Sequence, residues 1–241
     1  VKLELKKQQL EKELELKADF TAMLVHDLRS PLTSIMGYAE MMHTTPNIID
    51  IKRTGGIITS SSEKMLKIIN DMLILSRFEA GKMTLNKTYS TLKSIVTEHI
   101  EGMQPLLDMK EFKIEYDFSQ LVKLYIDREK IGQVVNNLIS NAAKFSPKKG
   151  TIAIRTKEIQ NNGKRYQELA VLDEGPGISD NQRKYLFDKY SQLHRDTEMK
   201  GTGLGLAVSR WIVEAHGGEI GYAPGEEGGS VFYFRLLQPE K

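Results

Sequence analysis

Phe20-Thr-Ala-Met-Leu-Val-His26-Asp27-Leu-Arg-Ser30-Pro31-Leu-Thr33 decides how the first third of the chain folds. On a heptad repeat with Leu24 at d, Leu24, Leu28, Ile35 and Met42 fall on the a and d seam, while His26, Thr33 and Glu40 share the outer f position. The pattern predicts an amphipathic helix whose imidazole points outward. Asp27 beside it can accept from one ring nitrogen, fixing the tautomer and leaving the other nitrogen a free lone pair, a nucleophile near neutral pH. A His–Asp pair on a helix surface is by itself usually only a solvated face. Pro31 is what sets this one apart, because an interior proline costs roughly 3 kcal/mol, removes the amide that would bond the Asp27 carbonyl, and predicts a kink beside the histidine.

Toward the N-terminus, Val1 to Asp19 is charged and free of Gly and Pro; Leu3, Leu10 and Leu14 continue the seam, with Lys7 and Lys17 in two of its core slots. This reads as one helix running to about His43, of coiled-coil length. Thr44-Thr-Pro46-Asn47 breaks it. A second helical pattern follows from Ile48 to Glu79, with Ile58, Met65, Ile69, Met72 and Leu75 apolar and Gly55-Gly56 weakening its first turns. Two long antiparallel helices cannot bury both their faces alone, so a four-helix bundle made by two copies, a homodimer, is expected.

Ala80-Gly81-Lys82 ends the helical part. Beyond it, helices are predicted over Ser90 to Met109, from an Asp127 N-cap to Phe145, and over Gly203 to His216. Strands are predicted over Phe112 to Phe118, Val122 to Ile126, Thr151 to Glu158, Gln167 to Asp173, Glu219 to Tyr222 and Ser230 to Leu236. Helices with mostly antiparallel strands make an α+β sandwich, so the fold class is multi-domain: a helical hairpin followed by that sandwich. The implied divisions are residues 1–19 as a coiled-coil signalling helix, 20–80 as a helical dimerisation domain, 81–86 as a linker and 87–241 as the sandwich.

With 34 basic and 32 acidic residues, a net charge of +2 gives no reason to expect nucleic acid or an anionic membrane as partner. The chain has no cysteine, which excludes disulfides and thiolate metal sites. No apolar run is long enough to span a bilayer, so no membrane contact is expected within these residues, and no secretory signal core is present. A chain that opens in mid-helix reads as a piece of a longer protein.

Three patterns in the second half could carry chemistry. Asn137, Asn141 and Lys144 form a polar stripe along one helix, where amide oxygens could hold hydrated Mg²⁺ and the ammonium could meet phosphate. Asp173-Glu-Gly175-Pro-Gly177 ends a buried-type strand; its carboxylate could accept from the exocyclic amine of a base, and its glycines let a flat ring approach. Gly201-Thr202-Gly203-Leu204-Gly205-Leu206 opens an amphipathic helix and offers backbone amides to an anion. It is neither a Walker A loop nor a dinucleotide fingerprint, since Leu206 stands where the third glycine would be. The polar segment between Gly177 and Gly201, with a short helix near Asn181 to Tyr190, suits a lid.

Taken in order, these stretches closely resemble the two-component sensor histidine kinases of the GHKL ATPase superfamily. Phe20 to Thr33 resembles the H box, Asn137-Leu-Ile-Ser-Asn141-Ala the N box, Asp173 to Gly177 the G1 box, Leu186-Phe187-Asp-Lys-Tyr190 the F box and Gly201 to Leu206 the G2 box. The resemblance implies a GHKL (Bergerat) ATP-binding fold and a protein histidine kinase that uses ATP and Mg²⁺. His26 would be the phosphoacceptor and Asp27 its orienting acid. Asn141 would ligate Mg²⁺ with Asn137 beside it, Lys144 would reach the phosphates and Phe145 would lie against the adenine. Asp173 would bind the adenine amino group in a pocket shaped by Gly175 and Gly177. The run Gly201, Thr202, Gly203, Leu204 and Gly205 would wrap the phosphates. The implied partner is the receiver domain of a response regulator, which takes the phosphoryl group on an aspartate, and the implied location is cytoplasmic, including the cytosolic part of a membrane-anchored sensor. Two positions depart from the family pattern: Ser30 stands where strong phosphatases carry Thr or Asn, and Ser191-Gln192-Leu193 follows the F box where an Arg is common, with Arg195 or Lys200 as substitutes.

Rival readings are a GHKL clamp ATPase of the Hsp90, MutL or gyrase kind, a degenerate kinase serving as a dimeric interaction module, and a GHKL serine kinase. The clamp ATPases carry a Glu where this chain has Asn137, so the base that activates water is missing.

Overall fold

A helix of 43 residues, α1 (Lys2–Thr44), continues through Pro31, and a second of 32 residues, α2 (Ile48–Glu79), follows it. The structure, a computed structural model, describes residues 2–44, 48–119, 121–161, 163–188, 203–226 and 228–239. The Thr45 to Asn47 part of the predicted break lies outside these. The chain divides into two compact units, Val1–Ser76 and Arg77–Lys241.

In the first unit, Phe20 and Leu24 of α1 are buried, and so is the α2 stripe Thr54, Ser61, Ile68 and Leu75, repeating every seven residues. Leu28, Ile35 and Met42 are half-buried. The second apolar stripe of α2 is less covered: Ile58 and Met65 are half-buried, and Ile69 and Met72 are 41% and 46% exposed. Leu3, Leu10 and Leu14, assigned to the seam by sequence, are exposed along a single chain.

The second unit begins with the last residues of α2, where Phe78 stacks on Trp211 with ring centroids 5.3 Å apart. Then come β1 (Thr88–Ser90), α3 (Leu92–Met109), β2 (Lys113–Phe118), β3 (Leu124–Ile126), α4 (Arg128–Phe145), β4 (Thr151–Asn161), β5 (Lys164–Asp173), the short α5 (Asp180–Arg183), α6 (Gly205–Ala215), β6 (Glu219–Pro224) and β7 (Ser230–Leu237). β1 pairs antiparallel with β3; the other strands form one sheet in the order β2-β4-β5-β7-β6, antiparallel except for the β2–β4 pair. α4 and α6 lie against this sheet and α3 packs on α4. Burial follows the period-2 rule along β7, with Ser230, Phe232, Phe234 and Leu236 turned inward. They meet Ile131, Val134, Val135 and Leu138 of α4 and Val208, Ile212 and Val213 of α6 in one apolar core. The sheet's other face carries one buried carboxylate, Glu168, which Arg235 contacts at 2.7 Å and Lys157 at 3.2 Å.

Candidate functional site

α1 sets the acceptor side. The His26 side chain is 69% exposed, and its Nδ1 lies 3.3 Å from Oδ1 of Asp27, itself mostly covered. With Nδ1–H donating to the carboxylate, Nε2 keeps its lone pair and faces solvent.

The residues expected at a nucleotide lie in the second unit, and α4 carries four of them, Asn137, Asn141, Lys144 and Phe145. Its N-terminus is fixed by Asp127, whose carboxylate accepts from the Lys130 amide at 3.1 Å and the Asn86 amide at 2.8 Å. The Asp127 amide in turn donates to His216 Nε2 at 3.0 Å, and His216 Nδ1–H donates to the Ile212 carbonyl at 2.7 Å. An Nε2 that accepts carries no proton, so His216 is a neutral strut between the start of α4 and the end of α6. Burial holds its pKa below the ordinary histidine value; the Ile212 carbonyl opposes that shift and Lys87 adds to it.

Three residues of the predicted polar stripe fall into two environments. Asn141 and Lys144 are half-buried, and the Lys144 ammonium sits 4.8 Å from the centre of the Phe145 ring. Asn137 is instead buried, 7% exposed, and its Nδ2 donates to Ser209 Oγ of α6 at 2.9 Å. The stripe keeps its helical spacing along α4, but α6 covers one end of it.

Asp173 closes β5 at the C-terminal end of α4. It is 8% exposed, and its Oδ1 accepts from the Gly175 amide at 2.8 Å. Burial pushes its carboxyl pKa up, and hydrogen bonds from the Gly175 amide and from the amide and hydroxyl of Ser230 pull against that rise. Ser230 is its register partner on β7. A Cβ on Gly175 would crowd Asp173 Oδ1 and the Phe145 carbonyl, so the carboxylate, the turn and the end of α4 are packed together. Gly229 (φ +77) is as constrained, because a Cβ there would run into the Asp173 carbonyl.

Gly177 takes a φ of +70, and Ile178 after it donates to the Tyr222 hydroxyl at 3.2 Å. Arg183 bonds the Ile178 carbonyl at 3.0 Å and lies 5.5 Å from the Tyr222 ring. Of the F-box stretch, Leu186 is buried and Phe187 meets Phe232 edge-on at 6.5 Å. Gly203 has a φ of +67, Leu204 is fully buried and Gly205 begins α6. Gly201, Thr202, Tyr190, Arg195, Lys200 and the Ser191 to Leu193 stretch lie outside the described residues. Sequence reasoning missed Ser209, Ser230, Gly229, Tyr222 and His216. Gly228-Gly229 directly before a strand was the one available hint; the others are ordinary residues whose importance comes from what the fold brings against them.

Among the described residues no group of three or more His, Asp or Glu side chains could cage a metal ion. Asn141 fits a divalent ion that arrives with a polyphosphate, since its amide adds one hard neutral oxygen to those of the phosphates, and the Lys144 ammonium fits the phosphates themselves.

Two family models match. The model described as His Kinase A (phospho-acceptor) domain matches residues 16–81, and the one described as histidine kinase-, DNA gyrase B- and HSP90-like ATPase matches residues 126–240. The chain is 34% identical over 229 residues to hybrid signal transduction histidine kinase D of Dictyostelium discoideum, covering 92% of this chain and 15% of that protein. It is 32% identical over 246 residues to the adaptive-response sensory kinase SasA of Gloeothece citriformis, covering 98% of this chain and 61% of that one. The chain thus spans only part of these relatives. Among solved structures, the Acinetobacter baumannii histidine kinase AdeS matches with a TM-score of 0.67 at 26% identity, over 89% of this chain and 98% of that one.

Proposed function

The chain belongs to the sensor histidine kinases, and from that premise we propose that it transfers the γ-phosphoryl group of ATP to His26 and then to an aspartate of a response regulator. The observation that carries this reading is an exposed imidazole engaged, among the described residues, at one nitrogen only, in a chain whose residues 126–240 match an ATPase family model. Asp173 would accept from the adenine amino group and Phe145 would lie against the ring. Asn141 would ligate Mg²⁺ and Lys144 would meet the phosphates, with the amides from Gly201 to Gly205 around them. Bound Mg²⁺ would neutralise charge on the phosphate oxygens. The Nε2 lone pair of His26 forms the N–P bond as the bond from the γ-phosphorus to its bridging oxygen breaks; ADP leaves with that electron pair, and the Nδ1 proton moves toward Asp27.

Residues 20–80 are the acceptor domain in this reading, 1–19 a signalling helix, 81–86 a linker and 87–241 the catalytic domain. The uncovered stripe of α2 supports a homodimer, and a cytoplasmic setting follows from the ATP requirement. No described helix is long and apolar enough to cross a membrane. A clamp-ATPase reading is disfavoured by Asn137, whose amide offers water no base.

The test is incubation with Mg²⁺ and γ-labelled ATP, comparing wild type with His26→Gln and Asn141→Ala. Acid-labile, alkali-stable label on wild type alone is expected. Unlabelled wild type that still binds ATP would overturn the kinase reading.

A further inference from the structure

Asn137 and Ser209 lie 72 residues apart in sequence and meet in the interior, where Ser209 is 1% exposed. Asn137 Nδ2 is 2.9 Å from Ser209 Oγ, and Ser209 Oγ is 2.9 Å from the carbonyl oxygen of Gly205. A hydroxyl has one proton to give, and the Gly205 carbonyl can only accept, so the Ser209 proton goes there. Ser209 Oγ is then left as an acceptor toward Asn137. The Asn137 atom that meets it must be the NH₂ group, which fixes an amide orientation that distance alone leaves open. The other end of the amide, Oδ1, lies against Gly205: a Cβ built on that glycine would meet Asn137 Oδ1 first.

We propose that Ser209 is a positioning residue of the nucleotide site, which occupies the Asn137 NH₂ group and thereby holds its carbonyl oxygen beside Gly205, where α6 begins. The inference rests on the ATP site proposed above and goes further, since it gives Asn137 one fixed orientation and names the residue that sets it. The orientation matters because an amide oxygen attracts a hydrated divalent cation and phosphate-bound water, whereas an NH₂ group in the same place repels the cation. Without the hydroxyl the amide can turn over.

The experiment is a titration with a fluorescent ATP analogue, in Mg²⁺ and in EDTA, on wild type, Ser209→Ala, Asn137→Ala and the double variant. Alanine fits the space of Ser209 and favours helix, so α6 is expected to form, which the heat-unfolding midpoint checks. Ser209→Ala is expected to weaken binding about three- to tenfold in Mg²⁺ and less than about twofold in EDTA. Because Ser209 acts through Asn137, its loss should cost nothing further in the Asn137→Ala background. Equal weakening with and without Mg²⁺, no weakening at all, or the same loss in both backgrounds would overturn the proposal while leaving the ATP site intact. Wild type that binds the analogue in neither buffer would overturn the ATP site itself.

Discussion

Asp173 is a single residue that would trade stability for binding in the proposed nucleotide site. Burial raises its carboxyl pKa in the folded state, so the native protein holds the Asp173 proton more tightly than the unfolded chain does. Its contribution is therefore favourable below the unfolded value, about 3.9, and is lost as pH rises through the folded value; at neutral pH the ionised group is a net cost. Asp173→Asn should leave the unfolding midpoint unchanged or raised, since an amide oxygen can still accept from the Gly175 amide. The same variant should weaken nucleotide binding by about tenfold or more, the scale of a charge-assisted hydrogen bond in a buried site. Isothermal titration beside a thermal melt decides this, and wild-type affinity in the variant would remove Asp173 from the adenine site. At this scale the sequence was legible in placement: His26 is exposed on α1, Asn141 is half-buried on α4 and Asp173 is buried at the end of β5. It was not legible where tertiary cover changes the role. Asn137 reads as part of an open stripe because helical spacing says nothing of α6 arriving 72 residues later to take its amide. Ser230 and Gly229 act on Asp173 from a neighbouring strand, a pairing that no local pattern encodes.

Helices and strands emerged from period and capping, and their failures have physical causes. Asp127 reads as an N-cap and serves as one, and α2 has the predicted bounds. β1 was missed because three residues, Thr88 to Ser90, are too few to show alternation; its pairing with β3 defines it. Gly55-Gly56 does not prevent the first turns of α2, where Thr54 is already buried. The α4–α6 pair makes a prediction of its own through His216. Its folded pKa is depressed, so its contribution is complete above the unfolded value of about 6.5 and is lost as pH falls through the folded value, because the unfolded chain takes up a proton that the strut cannot. His99, whose pKa burial also lowers, adds to the same trend. The melting temperature should fall as pH is lowered from above to below about 6.5. His216→Gln should lose about 1 kcal/mol at the upper end and show a flatter decline toward the lower. Parallel pH curves for wild type and variant would show that His216 is not the group that titrates.

On the scale of the whole molecule, His26 belongs to one unit and every residue proposed for the nucleotide site to the other. The proposed phosphoryl transfer would then depend on bringing the imidazole to the nucleotide, and on a helical unit firm enough to present it. A single copy leaves that unit half finished. The stripe Thr54, Ser61, Ile68 and Leu75 is covered, while Ile69 and Met72 are not. Burying apolar surface is worth about 25 cal/mol per Å², so a second copy of the same stripe is the cover that symmetry supplies most economically. Ile69→Glu together with Met72→Glu sets like charges against each other across that seam. The pair should convert a dimer to a monomer by light scattering at micromolar concentration and should barely change ATP affinity, since the second unit carries its own core. Labelling of His26 tells whether the dimer also serves transfer: if the monomer is still labelled at the wild-type rate, acceptor and donor meet within one chain and the bundle is scaffolding. If labelling falls with dimerisation, and a mixed dimer of His26→Gln with Asn141→Ala is labelled although neither variant is labelled alone, the imidazole of one copy is served by the catalytic unit of the other. A variant that stays dimeric would place the seam elsewhere, on the exposed face that holds Leu66 and Leu73.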